Sequence, residues 1–140
     1  MPAPFRLEAD ARLSHSEINA AYAWAEWPQR EGWRLDAVGR SCTWFAARRT
    51  DDGALIGIAR LLDDGGLHAA LWDVIVHPDR QRQGIGRALV ELAVERCRDR
   101  RLVAVVATPA SVPFFRALGF VPESHGHTAM YLRPHLVEAR

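Results

Sequence analysis

One stretch of this 140-residue chain decides its fold: Val74-Ile75-Val76-His77-Pro78-Asp79-Arg80-Gln81-Arg82-Gln83-Gly84-Ile85-Gly86-Arg87-Ala88-Leu89. Its first three residues are apolar and β-branched, and they predict the end of a strand buried on both faces. Pro78 and the polar residues up to Gln83 break that strand. From about Gly84 the apolar spacing is helical and continues to about Asp99. The stretch therefore predicts a buried strand, a glycine loop and a long helix, in that order.

The glycine loop has the chemistry of a phosphate site. The first turn of a helix has backbone N–H groups without partners, and its dipole favours negative charge. Gly84 and Gly86 would let a phosphate approach that backbone closely, and Arg82 and Arg87 add cations on the same turn. A pyrophosphate is the natural ligand of such a junction. The loop alone is a weak signal, because a helix start with glycines and no ligand would have the same sequence.

Two common nucleotide-binding loops do not match. A P-loop ends in Gly-Lys-Ser/Thr, whereas this chain has Gly86-Arg87-Ala88. A dinucleotide fold carries G-x-G-x-x-G in its first strand–helix unit. Here Leu89 takes the place of the third glycine, and several strands precede the loop.

The residues before the loop predict two helices and a meander of strands. Phe5 to Ala9 alternates weakly, as an edge strand does, and Ser14 with Glu17 forms a capping box at the start of a helix that Pro28 closes. A second short helix is expected over residues 31–38. Three strands joined by tight aspartate–glycine turns follow, at 42–48, 54–62 and 67–76.

The residues after the long helix predict further strands and one more helix. Residues 102–107 are apolar and β-branched, which is typical of a strand buried on both faces. A short helix is expected at 111–118, ended by Gly119. Residues 120–122 and 128–132 have the character of extended segments, and a loose tail is expected from about Pro134. The whole order predicts a mixed α/β fold with helices on both faces of the sheet.

Composition favours one intracellular domain over residues 1–140. Charged residues make up 25% and nearly cancel to a net charge of +1, which argues against a dedicated nucleic-acid or membrane-surface protein. Cys42 and Cys97 are too few and too far apart for a disulfide framework. The histidines show no metal-ligand spacing, so no metal is expected. No signal peptide or apolar run long enough for a membrane helix is visible, and the cytoplasm is the expected compartment.

Two blocks of this sequence resemble the GNAT superfamily of N-acetyltransferases. Residues 76–86 resemble its acetyl-CoA motif, Val-x-Pro-x-x-Arg/Gln-x-x-Gly-x-Gly/Ala, position for position. Residues 113–120, Pro-Phe-Phe-Arg-Ala-Leu-Gly-Phe, are similar to the closing Phe-Tyr-x-x-Leu-Gly-Phe signature of the family. Residues 55–60 and 71–76 also resemble a branch with plant plastid and bacterial arylalkylamine or lysine acetyltransferases. The resemblance implies an α/β fold with a mainly antiparallel sheet of six to seven strands and about four helices.

The same resemblance implies a reaction and a cosubstrate. An acetyl group would pass from acetyl-CoA to a primary amine by direct attack in a ternary complex, without an acyl-enzyme. Backbone N–H groups of the loop would bind the pyrophosphate, one strand would pair with the pantetheine arm, and aromatic rings would flank the thiol. The cosubstrate residues implied are Ile75, Val76, Gln81, Arg82, Gln83, Gly84, Ile85, Gly86, Arg87, Thr108, Phe114 and Phe115.

Phe115 is a departure from the family pattern. Many members have a tyrosine at this position that protonates the leaving thiolate, and phenylalanine has no donor. The reaction could proceed without a general acid, or Tyr131 or Ser111 could supply the proton. The alternative is a catalytically impaired module that binds or senses acetyl-CoA. A third reading is an acyltransferase for a non-amine acceptor or a longer acyl chain.

Three groups are candidates for the acceptor side of the site. The amine must lose a proton before it attacks, and Asp73, a carboxylate in an apolar strand, is the first candidate base. An outward-facing or structurally paired aspartate is the alternative. His127 is the second candidate, and a solvated loop histidine is its alternative. Trp24, Trp27 and Trp33 could line the acceptor site, or they could be core residues. The acceptor would be a small-molecule, peptide or protein amine, and relatives of this kind often form homodimers.

Overall fold

The computed structural model of the protein describes residues 4–122 and 126–135. The chain forms two compact units, residues 1–106 and residues 107–140. The prediction that residues 1–140 form one domain stays a prediction. The predicted tail from about residue 134 lies mostly outside the described residues.

The first unit is built on a five-stranded sheet with the spatial order β1-β2-β3-β4-β5. Its strands are β1 (Phe5–Glu8), β2 (Thr43–Arg49), β3 (Leu55–Asp63), β4 (His68–Val76) and β5 (Leu102–Val105). The first three pairings are antiparallel, and only β4 and β5 run parallel. This arrangement confirms the predicted meander. The parallel neighbours β4 and β5 need a long connection, and the long helix predicted between them provides it.

Three α-helices accompany this sheet: α1 (His15–Trp24), α2 (Gly32–Ser41) and α3 (Ile85–Arg96). The capping box is confirmed, since the Ser14 side chain accepts from the Glu17 N–H while Glu17 accepts from the Ser14 N–H. A single 3₁₀ turn, Pro78–Arg80, separates β4 from the glycine loop. The predicted proline break and long helix therefore both exist.

The helices cover opposite faces of the sheet, as two neighbouring residues of β3 show. A Cβ atom on Gly57 would meet the side chains of Ile85 and Leu89 on α3. The next residue, Ile58, is fully buried in a cluster with Ile18 and Tyr22 of α1. Since successive strand residues point to opposite faces, α3 packs on one face and α1 on the other.

The second unit contains a 3₁₀ turn (Pro109–Ser111) and the helix α4 (Val112–Ala117). The predicted short helix is confirmed. The described residues contain five strands in all, so a sheet of six to seven strands is not confirmed. The strand predicted at residues 128–132 is wrong: the segment has no regular structure, and Met130 and Leu132 are 87% and 69% exposed. Residues 120–122 are not a strand either. Apolar residues alone do not define a strand when neither burial nor a partner stabilises it.

The sequence also predicted burial on both faces for more strand residues than the structure buries. Exposed and partly buried residues alternate along β5, and Leu102 is 44% exposed. In β4 only Ile75 of the apolar triplet is buried, while Val74 and Val76 are half-buried. The reason lies in the topology. Among the described strands, β5 is the last in the order of the sheet, and it pairs with β4 along only part of the length of β4.

Candidate functional site

The junction between β4 and α3 has an unusual backbone that only certain residues allow. Gly84 is the residue before the helix, with φ 82° and ψ 4° in the left-handed region. Arg82 is also left-handed, with φ 65°. A left-handed conformation costs a residue with a side chain roughly 1–2 kcal/mol, and glycine avoids that cost. Glycine at position 84 therefore has a conformational cause in the backbone itself, which was not predicted from the sequence.

The helix start presents backbone donors that have no acceptor within the helix. The Ala88 N–H donates to the Gly84 carbonyl over 3.0 Å, which is the first hydrogen bond of the helical ladder. The N–H groups of Ile85, Gly86 and Arg87 precede that bond and have no acceptor within the helix. With the positive end of the helix dipole, they form a surface that favours an anion.

Two cations, Arg82 and Arg87, lie near this helix start. Arg82 is exposed on the loop. Arg87 is exposed as well, and its Nε lies 2.8 Å from Oε1 of Glu91 one turn along α3. An exposed pair of this kind is weak and can exchange partners.

One edge of β4 is open beside this loop. Among the described strands, β5 pairs with β4 no further than Leu71 opposite Val105, whereas β4 continues to Val76. The His77 N–H donates to the Ile56 carbonyl of β3 over 2.8 Å. Because backbone groups alternate in direction along a strand, those of Val76 point away from β3, toward the open edge.

The two strand residues predicted to meet the cosubstrate arm differ in their surroundings. Val76 presents its carbonyl at the open edge, where the Gln81 side-chain amide donates to it over 3.2 Å. Ile75 pairs with Ile58 of β3. It is 6% exposed and belongs to the apolar cluster that packs against α1. The open edge therefore offers the backbone of Val76, while Ile75 supports it from the core.

A β-bulge interrupts β4 at Asp73. Arg60 lies opposite Trp72 and Ile58 lies opposite Ile75, so two residues of β4 face the single residue Ala59. Asp73 has φ 52°, in the left-handed region. A bulge redirects a side chain and bends the strand.

The Asp73 carboxylate joins three elements of the first unit. Its Oδ2 accepts from Arg60 Nε over 2.7 Å and from the Tyr22 hydroxyl over 2.8 Å. The side chains of Asp73 and Arg60 are 11% and 18% exposed. Burial, followed by the charge of Asp73, raises the pKa of the Tyr22 hydroxyl above its usual range, so Tyr22 stays a donor. We call Tyr22, Arg60 and Asp73 the Asp73 cluster.

The Asp73 cluster shows how this aspartate is paired. Its carboxylate accepts from Arg60 and Tyr22, as the structurally paired alternative describes, and its role as a base stays a prediction. Arg60 and Tyr22 were not predicted from the sequence. A signal existed, because Arg60 is a lone cation in the apolar strand β3, as Asp73 is a lone anion in β4.

The three tryptophans do not form one wall. The Trp27 ring lies 5.6 Å from the Tyr22 ring, next to the Asp73 cluster. The Trp24 ring meets His77 edge-on at 4.8 Å, where β4 ends. Trp33 lies on α2, is 62% exposed and is covered by the guanidinium of Arg34 at 4.4 Å. Trp24 and Trp27 are therefore next to the candidate site, and Trp33 has a different neighbour.

Five predicted site residues lie in the second unit: Thr108, Phe114, Phe115, His127 and Tyr131. Phe115 is 7% exposed, and its ring lies 4.9 Å from Phe114 in an edge-to-face contact. Thr108 and Ser111 share a hydrogen bond between their hydroxyl oxygens at 3.0 Å. Tyr131 is 59% exposed. The roles predicted for these residues stay predictions.

Two general features concern the described residues only. Within residues 4–122 and 126–135, no three His, Cys, Asp or Glu side chains come together as metal ligands would. In the same ranges, no helix has both the length and the apolar character that crossing a membrane requires.

Comparison with known proteins gives consistent results. A family model described as the acetyltransferase (GNAT) family matches residues 7–120. An uncharacterised N-acetyltransferase, ycf52, of Gracilaria tenuistipitata var. liui is 37% identical over 82 residues, which is 57% of this chain and 45% of the relative. The chloroplastic serotonin N-acetyltransferase 2 of Oryza sativa subsp. japonica is 34% identical over 113 residues, or 77% of this chain and 56% of that protein. The chain thus spans about half the length of the curated relatives it matches.

The solved structures show the same fold. A GNAT-family acetyltransferase of Streptococcus pneumoniae superposes with a TM-score of 0.78 at 25% identity, covering 92% of this chain and 97% of that one. A probable acetyltransferase of Staphylococcus aureus also gives a TM-score of 0.78, at 18% identity, with 92% and 98% covered. The second likeness, at that identity, concerns the fold alone.

Proposed function

Because the chain belongs to the acetyltransferase (GNAT) family, we propose that it transfers the acetyl group of acetyl-CoA to the nitrogen of a primary amine. The amine attacks directly within a ternary complex, without an acyl-enzyme. The observation that carries this proposal is the junction of the open β4 edge with the start of α3. Within the described residues it offers N–H donors without an acceptor in the helix, for phosphate, beside a length of β4 that β5 does not pair, for an amide-bearing arm.

The cosubstrate would be held by backbone more than by side chains. The N–H groups of Ile85, Gly86 and Arg87 suit the pyrophosphate, and the left-handed Gly84 sets the direction of the helix that presents them. The Val76 carbonyl at the open edge suits an amide N–H of the pantetheine arm. Gln83 and Arg82 flank the same turn. The residues present therefore fit acetyl-CoA.

The acceptor amine needs a carboxylate and an apolar surface. Both hydrogen bonds to Asp73 end on Oδ2, and within the described residues Oδ1 has none. We place the ammonium group at Oδ1, from which a proton passes to the carboxylate or to water before attack. The neutral nitrogen then forms a bond to the acetyl carbon and the C–S bond breaks. The nitrogen loses one further proton, which passes directly or through water to the leaving thiolate.

Trp27 and Trp24 support an acceptor with an aromatic body. The Trp27 ring packs on Tyr22, and the Tyr22 hydroxyl donates to the carboxylate that would hold the amine. Aromatic rings bind both flat apolar groups and cations. The rice relative is named as a serotonin N-acetyltransferase. An arylalkylamine is therefore the first acceptor class to test, and a hydrophobic peptide amine is the second.

Phe115 supports one alternative function, an acetyl-CoA-binding module without catalysis. Its ring is packed edge-on against Phe114 and Phe120 and has no hydroxyl to protonate a thiolate. A thiolate is a tolerable leaving group, so we place the active enzyme first.

Release of free thiol separates the two functions. The purified protein is incubated with acetyl-CoA and tryptamine, a polyamine, a lysine peptide or a peptide with a free N-terminus. Turnover with at least one amine supports the enzyme, and submicromolar binding of coenzyme A without any turnover rejects it in favour of the binding module. Phe115→Tyr is the companion variant, since a rate gain of about tenfold would show that the missing hydroxyl limits the reaction.

Location and assembly are also proposals. We propose a cytoplasmic protein, although the rice relative is named as chloroplastic. Sedimentation of the purified chain would show whether it forms the homodimer that we propose from the family resemblance.

A further inference from the structure

We infer that Arg60 and Tyr22 are positioning residues for the transfer reaction, acting through Asp73 on both the acceptor and the cosubstrate edge. This inference rests on the proposed function. Both residues donate to the Asp73 carboxylate, and Tyr22 also packs against Trp27.

Arg60 and Tyr22 fix one oxygen of the carboxylate from two directions. Arg60 approaches from β3 at 2.7 Å and Tyr22 from α1 at 2.8 Å, and both donate to Oδ2. Because two donors fix Oδ2, the carboxylate cannot rotate freely, and Oδ1 points in a single direction. A carboxylate held in this way presents a defined acceptor to an incoming ammonium group.

Arg60 is itself held on its other side. Its Nη1 donates to the Cys42 sulfur over 3.3 Å, and its guanidinium lies 5.9 Å from the Trp44 ring centre. Its side chain is 18% exposed, so solvent screens the pair with Asp73 only partly. These contacts mark Arg60 as a fixed part of the site.

The same contacts hold the bulge of β4. Asp73 has φ 52° at the point where two residues face Ala59, a conformation that an isolated strand would not keep. Pinning the Asp73 side chain to β3 and α1 fixes the bulge at this residue. Val76, whose carbonyl lies at the open edge, follows three residues later, so its direction depends on the bulge.

Two donors hold the Asp73 carboxylate, and removing Arg60 takes away one of them. The groups that face Asp73 are Tyr22 from α1 and Arg60 from β3. Cys42 acts one step further, on Arg60, and the charge of Arg30 acts on Tyr22. Loss of Arg60 leaves Oδ2 with Tyr22 as its donor, so the direction of Oδ1 is less well defined.

The experiment compares Arg60→Met and Tyr22→Phe with the matched control Arg48→Met. Arg48 lies on β2, is 13% exposed and pairs with two carboxylates away from the Asp73 cluster. We expect Arg60→Met to weaken coenzyme A binding by about tenfold and Tyr22→Phe by about threefold, as measured by titration calorimetry. Arg48→Met is expected to lower stability and leave the affinity within about twofold.

The kinetic readout is kcat/KM for the amine. Arg60→Met should lower it by about tenfold, and in an Asp73→Asn background the same change should have no further effect. If Arg60→Met does not fold, Tyr22→Phe decides the outcome, because it keeps the ring in the core. Variants that behave like Arg48→Met in both readouts overturn the inference. A wild-type protein without turnover rejects the proposed enzyme, and coenzyme A affinity alone then decides the role of Arg60 and Tyr22.

Discussion

The side-chain amide of Gln81 donates a hydrogen bond to the backbone carbonyl of Val76 over 3.2 Å. The loop therefore reaches back and occupies the polar group that the open edge of β4 exposes. We propose that an amide of the cosubstrate arm binds the same carbonyl. The two donors would then compete, and Gln81 must move when acetyl-CoA binds.

Gln81→Ala is expected to bind coenzyme A about two- to fivefold more tightly than the wild-type protein, which calorimetry can measure. The reason is that the Val76 carbonyl would be open to the ligand without loss of an internal hydrogen bond.

Adenosine 3′,5′-bisphosphate is the matched ligand control for Gln81→Ala, because it lacks the pantetheine arm. Its affinity should not change in the variant. An equal loss of affinity for both ligands would show that Gln81 contacts the nucleotide and does not compete with the arm.

Gly84→Ala tests the left-handed backbone before α3. The Cβ atom would meet nothing within 4 Å, so the expected loss comes from φ 82° and not from a clash. We expect stability to fall by about 1 kcal/mol and coenzyme A binding to weaken, because the helix start tilts to relieve the strain.

Gly39→Ala in α2 is the control for Gly84→Ala, since its Cβ also meets nothing within 4 Å. It is expected to be neutral or to stabilise the helix slightly. Equal effects of the two changes on coenzyme A affinity would contradict a special role of Gly84.

Sequence patterns predicted the local features of the first unit well, because those features depend on neighbouring residues. The capping box of Ser14, the proline break at Pro78 and the glycine before α3 each have a local physical cause. The strand meander followed from turn residues and alternation. The order of the strands then placed the glycine loop beside the open edge of β4.

Features that depend on distant contacts were predicted less well. The Asp73 cluster joins residues 51 and 13 positions apart, and no local pattern indicates such contacts. Burial of β5 was overestimated because an apolar sequence does not show where in the sheet a strand lies. The segment 128–132 was predicted as a strand on composition alone, and it has neither burial nor regular structure.

Gly57→Ala tests how closely α3 must approach the sheet. A Cβ atom there would lie 3.1 Å from methyl groups of both Ile85 and Leu89. We expect a loss of about 1–3 kcal/mol in the free energy of unfolding, because a packed interface resists even one added methyl group. Displacement of Ile85, the first residue of α3, should also weaken coenzyme A binding.

The comparison of Gly57→Ala with Gly84→Ala separates two causes, steric contact and backbone strain. Urea unfolding gives the stability of each variant, and calorimetry gives its affinity. A Gly57→Ala variant of wild-type stability would mean that α3 can shift without cost, and the close contact would then not determine the position of the helix.

Arg48 links two parts of the first unit. Its Nε lies 3.0 Å from Glu8 of β1, and its Nη1 lies 2.8 Å from Glu17 of α1. The hydrogen bond from Arg48 is the main cause that lowers the pKa of Glu17 below its usual value. The pKa of Glu8 is lowered first by Arg6 and then by Arg48.

Because these carboxyl groups titrate at lower pH in the folded chain, their contribution to stability is present above their unfolded pKa, near 4.5, and is lost as the pH falls through the folded pKa. Arg48→Met should therefore lower the free energy of unfolding by about 1–3 kcal/mol at neutral pH, and the difference from wild type should shrink in acid. Urea titrations at about pH 7 and about pH 3 measure both values.

Arg98→Met, which removes an exposed pair with Glu95, should cost at most about 0.5 kcal/mol at either pH. A difference for Arg48→Met that stays constant with pH would mean that its packing, and not its two carboxylate partners, stabilises the fold.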